Sequence, residues 1–376
     1  MVVFVAQYPD DRNERDGMMQ RVAAIDSVFT AVPRLYLSVS LRKNWRREVC
    51  TRGLVRIERV NLFLHFRYIW RHFKDASCVY VQSLFNARNV LPFMKMFRAK
   101  TIVDVHGVLP EEMLFVGKPI RAAIWQLVER ATVRNPGLLI VVTQKMAQHF
   151  LKKYPGAVDP SRIMVLPNFD SCGRRNQKIL RPSMESGKLQ FIYAGGVHKY
   201  QNIDLMLETL KHLADFRQDW RAGIYVPPEA IREVQAKVNL FECGSYVEVA
   251  SLTHDEVIAK YPTMDIGFVL RKASLLNEVA MPTKLVEYIT YGVVPVVLSP
   301  DIGDFVQHGY KYLTLQDLFD DRKLDYASLE AMRASNFQTL ASIYASTLEA
   351  RKRLASWSGN LVWDHFDRAA MKGPRS

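Results

Sequence analysis

Three side chains in one stretch have the types and spacing to bind a nucleotide diphosphate: Arg271 and Lys284 for the phosphates and Glu287 for sugar hydroxyls. The stretch, 265–299, reads as strand (266–270), polar loop, short helix, glycine stop and strand (293–298). Pro282 suits the first helical position, where its missing N–H costs nothing. Gly292 suits the position after the helix end, where the chain turns left-handed. The valine-rich run 293–298 is apolar enough to be buried on both faces, as parallel strands are. Pro295 inside it counts against a central strand, because proline cannot donate to a ladder.

Lys284, Glu287, Tyr288 and Tyr291 follow three-and-four spacing and share one helical face. A lysine in the first turn opposes the helix dipole. That makes sense where an anion sits at the helix start, which already presents backbone N–H groups to phosphate. Arg271, just past the preceding strand, supplies a bidentate clamp. Glu287, one turn further in, is placed to accept from vicinal hydroxyls such as those of a ribose. Together they describe a nucleotide-diphosphate pocket at the carboxyl end of a parallel sheet. The competing reading is a solvated amphipathic helix with an incidental ion pair, and spacing alone leaves both open.

Arg271, Asn277 and Pro282-Thr283-Lys284, with Glu287-Tyr288 and Gly292, resemble the donor-site signature of family 4 retaining glycosyltransferases, which have the GT-B fold. Many members carry two glutamates eight positions apart. Here the position eight before Glu287 is Val279, and whether the neighbouring Glu278 substitutes is open. The form with asparagine and P-x-K ahead of the glutamate recurs in bacterial surface-polysaccharide transferases. The resemblance implies an α/β chain of two Rossmann-like doubly wound lobes facing across a cleft. It implies a nucleotide diphosphate sugar as donor, retention at the anomeric carbon, and neither metal nor other cofactor. No D-x-D motif is placed to hold a metal. Arg271, Lys284 and the helix start would neutralise the leaving diphosphate, Asn277 would shape its loop, and Glu278 is a catalytic candidate.

Further elements join this resemblance. Asp104-Val105-His106-Gly107 ends a strand over 101–105 and resembles the D-x-H-G element whose histidine contacts the donor sugar. By residue type alone, a lone histidine is as readily structural. Glu111, in Pro110-Glu111-Glu112, lines the acceptor site or caps the next helix. Asp16 and Gly17 sit in the first loop, which the family places near the acceptor and the transferring sugar, and by position alone Asp16 is as readily part of a solvated turn. Gly195-Gly196, between a strand over 189–194 and a helix over 203–216, lets backbone approach a phosphate. The family places that turn beside the donor diphosphate, with Lys199 next to it. The turn 167–170 resembles the handover between lobes. The expected division is 1–170 for the first lobe, 171–188 for the linker, 189–355 for the second lobe and 356–376 for a segment crossing back.

The 376 residues suffice for two domains, and 49% hydrophobic content supports a sizeable core. Cys50, Cys78, Cys172 and Cys243 form no close pair and no metal-like spacing, which fits a reducing, cytoplasmic compartment. The start, Met1-Val2-Val3-Phe4-Val5-Ala6, lacks a basic leader region and reads as a first strand. No apolar run approaches the ~20 residues a spanning helix needs.

The net charge of +13 is concentrated: 34–100 holds 15 Lys/Arg against Glu48, Glu58 and Asp75. Such asymmetry calls for an anionic partner. Arg42, Lys43, Arg46 and Arg47 surround Trp45, and 61–74 is expected as a helix of mixed apolar, aromatic and basic character. Aromatics among bases suit an anionic membrane surface. They also suit single-stranded nucleic acid, or a solvated basic face over a core helix. The resemblance favours the membrane, a lipid-linked saccharide acceptor and no nucleic acid. A non-catalytic membrane or nucleic-acid binder on the same fold is the rival from another class. An epimerase or phosphorylase is the rival among enzymes, although no lysine context points to pyridoxal phosphate.

Overall fold

The computed structural model describes residues 1–10, 17–167 and 187–357, and the chain forms two compact units, Met1–Asp170 with Ala345–Ser376, and Ser171–Tyr344. In the first unit eight strands form one sheet: β1 (Val2–Val5), β2 (Arg34–Ser40), β3 (Glu48–Arg52), β4 (Val55–Asn61), β5 (Cys78–Gln82), β6 (Thr101–Val105), β7 (Leu138–Val141) and β8 (Ile163–Val165). Their order is β3-β4-β2-β1-β5-β6-β7-β8, parallel except for the β3–β4 pair. The central strands β1, β5 and β6 are buried at every residue, and apolar side chains fill them except at Gln82, Thr101 and Asp104.

The intervening helices are α1 (Gly17–Asp26), α2 (Phe66–Asp75), α3 (Ser83–Met96), α4 (Leu109–Phe115), α5 (Pro119–Arg134) and α6 (Gln144–Lys153). The helix α1 buries Met19, Val22 and Ile25, one face at helical spacing, against the sheet core. Thr143 caps α6 as its type predicts, its Oγ1 accepting from the Met146 N–H at 3.0 Å.

One expectation fails here. The helix predicted over 61–74 begins only at Phe66. Asn61 ends β4, and its Oδ1 accepts from the N–H groups of Phe63 and Leu64 at 3.0 and 3.3 Å, forming a turn. Its Nδ2 donates to the Lys43 carbonyl at 2.9 Å and ties the turn to the 42–47 loop. Neither β3 nor β4 is legible in the sequence, because charge interrupts their hydrophobic alternation. The fully exposed β3 is an edge strand that charge protects, with Glu48 and Arg59 paired across it at 3.2 Å.

In the second unit, β9 (Leu189–Ala194), β10 (Trp220–Tyr225), β11 (Val247–Ala250), β12 (Ile266–Val269) and β13 (Val294–Val297) form a parallel sheet in the order β11-β10-β9-β12-β13. Its helices are α7 (Ile203–Phe216), α8 (Ile231–Leu240), α9 (His254–Lys260), α10 (Leu275–Glu278), α11 (Thr283–Thr290) and α12 (Asp321–Leu324), while α13 (Tyr326–Trp357) starts in this unit and belongs to the first from Ala345 onward. Phe191, Trp220 and Phe268 centre a core closed by Leu207, Leu210 and Val234.

Pro295 is tolerated because β13 is an edge strand. The Val294 N–H donates inward to Asp265 at 2.8 Å, so the Pro295 nitrogen faces the outer side, where its carbonyl accepts from Leu313. Pro282 is the cap residue, extended at ψ 123°, one place before its expected position. Gly292 turns left-handed at φ +70°, and the Val293 N–H closes the helix end on Tyr288 O at 2.8 Å. Among the described residues no helix is long and apolar enough to cross a membrane.

Candidate active site

The chain runs from β9 out to β10 and β11, then returns to β12 and β13 on the other side of β9. The carboxyl ends of β9 and β12 therefore flank the point where strand order reverses, the usual ligand crevice of such sheets. Gly195-Gly196 follows β9 and Arg271 follows β12. Lys284 lies in the first turn of α11, which starts after Pro282 with no side-chain cap.

Lys284 is the centre of this arrangement. Its half-buried ammonium sits 3.6 Å from the Tyr193 ring centroid and 3.4 Å from Gln201 Oε1. Among the described residues no carboxylate forms an ion pair with it. Burial drives its pKa well below the ordinary lysine value, the positive charge of Arg271 adds to this, and Glu287 opposes it. Gly195, at φ +146°, makes the approach possible, since a Cβ there would lie 3.0 Å from Nζ and 3.1 Å from Cε. The Tyr193 hydroxyl donates to Gly196 O at 2.5 Å and fixes the glycine turn. The Arg271 guanidinium lies 5.1 Å from the Tyr200 ring, which stacks on His198 at 5.4 Å. Lys284 and Arg271 thus each lie over a tyrosine ring, and Lys284 lies against the glycine turn.

The neighbouring predicted residues have structural partners. Glu287 is half-buried and accepts from the Tyr261 hydroxyl at 2.8 Å. Asn277 is buried, donates to Asp301 O at 3.1 Å and accepts at its own carbonyl from Gly303, so it braces the loop after β13. Val279 points into the interior, while Glu278, at the end of α10, is half-buried. Lys199 lies in the turn Lys199–Gln201, and its side chain falls outside the described part.

The seat of α11 has a weak point. A Cβ at Gly267 in β12 would collide with the Tyr288 ring, which fills the space between helix and sheet. Gly267→Ala is expected to cost about 1–3 kcal/mol by overpacking, read as a lower urea midpoint with an unchanged slope.

In the first unit His106 is half-buried just past β6. Two residues earlier Asp104 is fully buried. Arg21 donates to both its oxygens, at 2.8 and 3.0 Å, and the Tyr80 hydroxyl donates at 2.6 Å. Arg21 also donates to the carbonyls of Leu166 and Pro167. Burial pushes Asp104 upward, but the Arg21 charge and these hydrogen bonds outweigh it and hold the pKa below the usual carboxylate value. Glu111, in the first turn of α4, binds Lys153 at 2.6 Å and His149 at 3.3 Å. The same Lys153 pairs with the buried Glu129. Gly17 opens α1, and Asp16 lies outside the described residues, as does the 168–186 stretch of the handover and linker. Arg42, Lys43, Trp45, Arg46 and Arg47 are exposed between β2 and β3, and Arg47 stacks over Tyr68 at 4.7 Å.

No family model matches the chain, and no characterised protein matches it by sequence. Solved structures do match. The E. coli trehalose-6-phosphate synthase bound with UDP-2-fluoro glucose superposes with a TM-score of 0.64 at 13% identity, over 96% of this chain and 99% of that one. Sucrose-phosphate synthase from Thermosynechococcus elongatus gives 0.65 at 11% identity, over 96% and 98%. Anabaena HepE in complex with UDP and glucose gives 0.65 at 12% identity, over 94% and 99%. The chain has the GT-B fold.

Within this GT-B chain, sequence reasoning missed Tyr193, Tyr200 and Gln201, which hold the two cations. Tyr193 reads as a core residue of a strand, and it is one. Only the pairing of β9 with β12, Ile192 opposite Gly267, brings 193–201 beside 271–284. The usable signal was the tyrosine two places before the glycine pair, on the strand face that meets the lysine. The structure gathers Gly195, Gly196, Arg271 and Lys284 into one crevice. It uses Asn277 for bracing and engages one oxygen of Glu287 with Tyr261.

Proposed function

We propose that the chain transfers a sugar from a nucleotide diphosphate sugar to a hydroxyl of a saccharide acceptor, with retention. The observation that carries this reading is Lys284, a desolvated cation held without an ion-pairing carboxylate beside a second cation, at the switch point of a parallel sheet. Burying such a charge is costly unless an anion completes the site. The bond from the anomeric carbon to the diphosphate breaks, and a bond to the acceptor oxygen forms. Negative charge then grows on the leaving diphosphate, where Lys284, Arg271 and the uncapped start of α11 stand ready to stabilise it. Glu287, oriented by Tyr261, binds the ribose, and the Gly195-Gly196 backbone lies against phosphate. His106 serves the transferring sugar. Glu278, Asp16, Gly17 and Glu111 remain the candidates for the reacting centre and acceptor. UDP in two fold relatives supports a nucleotide donor.

The acceptor we propose is a lipid-linked saccharide of cell-surface polysaccharide assembly, such as lipopolysaccharide or capsule, met at the inner face of the cell membrane. The exposed basic loop around Trp45 supports a peripheral association with anionic lipid. The reading is tested by thermal shift against UDP, GDP, ADP and TDP. A cognate diphosphate at a hundredfold its Kd adds about 2.7 kcal/mol to stability. A flat response to all four, with no hydrolysis of their sugar conjugates, would remove the transferase assignment.

A further inference from the structure

We infer that the α4–α5 hairpin is the element of the first unit that enters an anionic phospholipid bilayer. The inference deepens the proposed function by naming the surface that meets lipid, and it rests on that reading only for the purpose of the contact. Six large apolar side chains of this hairpin face water: Leu114, Phe115, Val116, Ile120, Ile124 and Leu127, with Ile120 at 78% and Leu127 at 71% exposure. Ile120, Ile124 and Leu127 follow i, i+4, i+7 and form one stripe on α5. The opposite stripe, Ala122, Glu129, Thr132 and Val133, is buried. The helix therefore satisfies the core with one face and still presents a second apolar face outward. Contiguous patches of this kind mark interaction sites rather than ordinary surface.

Charge selects the partner. Lys118, Arg121, Arg130 and Arg134 are exposed on 113–134, and the single acid there, Glu129, is buried against Lys153 and Tyr154. Glu112, in the first turn of α4, is the one exposed carboxylate of the hairpin against those four exposed bases, so the surface is net positive towards a phosphate headgroup. A second copy of the chain is disfavoured by the same fact: a two-fold contact would set the four bases against their own images. The basic surface continues sideways. Phe85 of α3 packs edge-on against Trp125 at 4.9 Å, and Phe66 of α2 meets Phe93 of α3 at 4.9 Å. Beyond it an open groove of about 600 Å³ on α2 is lined by Arg67, Trp70, Arg71, Lys74 and Met96, with Asp75 paired to Arg71 at 3.6 Å. An apolar stripe flanked by bases, too short to span, is the pattern of a helix lying in the membrane interface.

Co-sedimentation with vesicles of phosphatidylglycerol and phosphatidylcholine tests this. The wild-type chain is expected to bind them, to release at high salt, and to ignore pure phosphatidylcholine. Ile120→Ser with Leu127→Ser should weaken binding roughly tenfold or more. Melting temperature and any UDP-induced shift should stay as in wild type, because both side chains are already solvated. Arg46→Glu with Arg47→Glu is the comparison. Full binding by the serine variant, with loss only in the glutamate variant, overturns the inference in favour of the 42–47 loop. So does a wild-type chain that ignores anionic vesicles, or one that forms a dimer the serine variant splits. A chain that binds vesicles through the hairpin yet never responds to nucleotide sinks the transferase reading and leaves this one standing.

Discussion

Lys284→Met will slow sugar transfer by roughly 30- to 1000-fold, about 2–4 kcal/mol of transition-state stabilisation, with kcat falling more than KM rises. The same replacement should leave the unliganded protein as stable or more so, because it removes a desolvated ammonium and keeps the packing against Tyr193. Opposite signs for activity and stability are the mark of a side chain held for a ligand. Arg271→Met should show the activity loss as well. Wild-type turnover in both variants removes them from the mechanism.

The titration of Lys284 gives a second readout. Its folded pKa lies well below the ordinary lysine value of about 10.4. Between those two values the unfolded chain binds more protons, so unliganded stability rises with pH across that window. A bound diphosphate reverses the bias, because an opposite charge favours the ammonium. Nucleotide binding above the depressed pKa is therefore accompanied by proton uptake. Titration calorimetry in buffers of differing ionisation enthalpy measures it, and Lys284→Met should abolish it.

Arg21→Met will destabilise the first unit by about 3–5 kcal/mol, since it strands the buried Asp104 carboxylate and two carbonyls. Urea unfolding reads the loss directly. In wild type the pair contributes above the unfolded carboxylate pKa, and its contribution is lost as pH falls through the depressed folded pKa of Asp104. The acid limb of the stability profile should be shallower in Arg21→Met. Arg21→Met with Asp104→Leu should recover part of the loss, because it removes both buried charges. A single variant as stable as wild type would mean that solvent reaches Asp104.

The stretch 265–299 was legible because its signals are local. A strand of apolar residues, a helix opened by Pro282, a Gly292 stop and a valine run are each written within a few residues. The basic excess of 34–100 needed only counting. The edge hairpin β3–β4 was hidden, because edge strands carry the charges that ordinarily mark loops and helix surfaces. The strand end Asp104-Val105-His106-Gly107 is legible locally, but nothing near it in sequence marks Asp104 as the partner of Arg21, 83 positions away.

From the order of residues alone came the alternation of strand and helix, the strand–helix–strand stretch 265–299 and the concentration of positive charge in 34–100. These depend on backbone propensity, periodicity and net charge, all properties of neighbouring residues. Folding decided that Lys284 would rest on Tyr193 at the edge of a glycine turn, that Asn277 would brace a loop, and that α5 would turn an apolar stripe to water. Those outcomes follow from which strands pair and which helix face the core consumes, and distant segments settle both only when they meet.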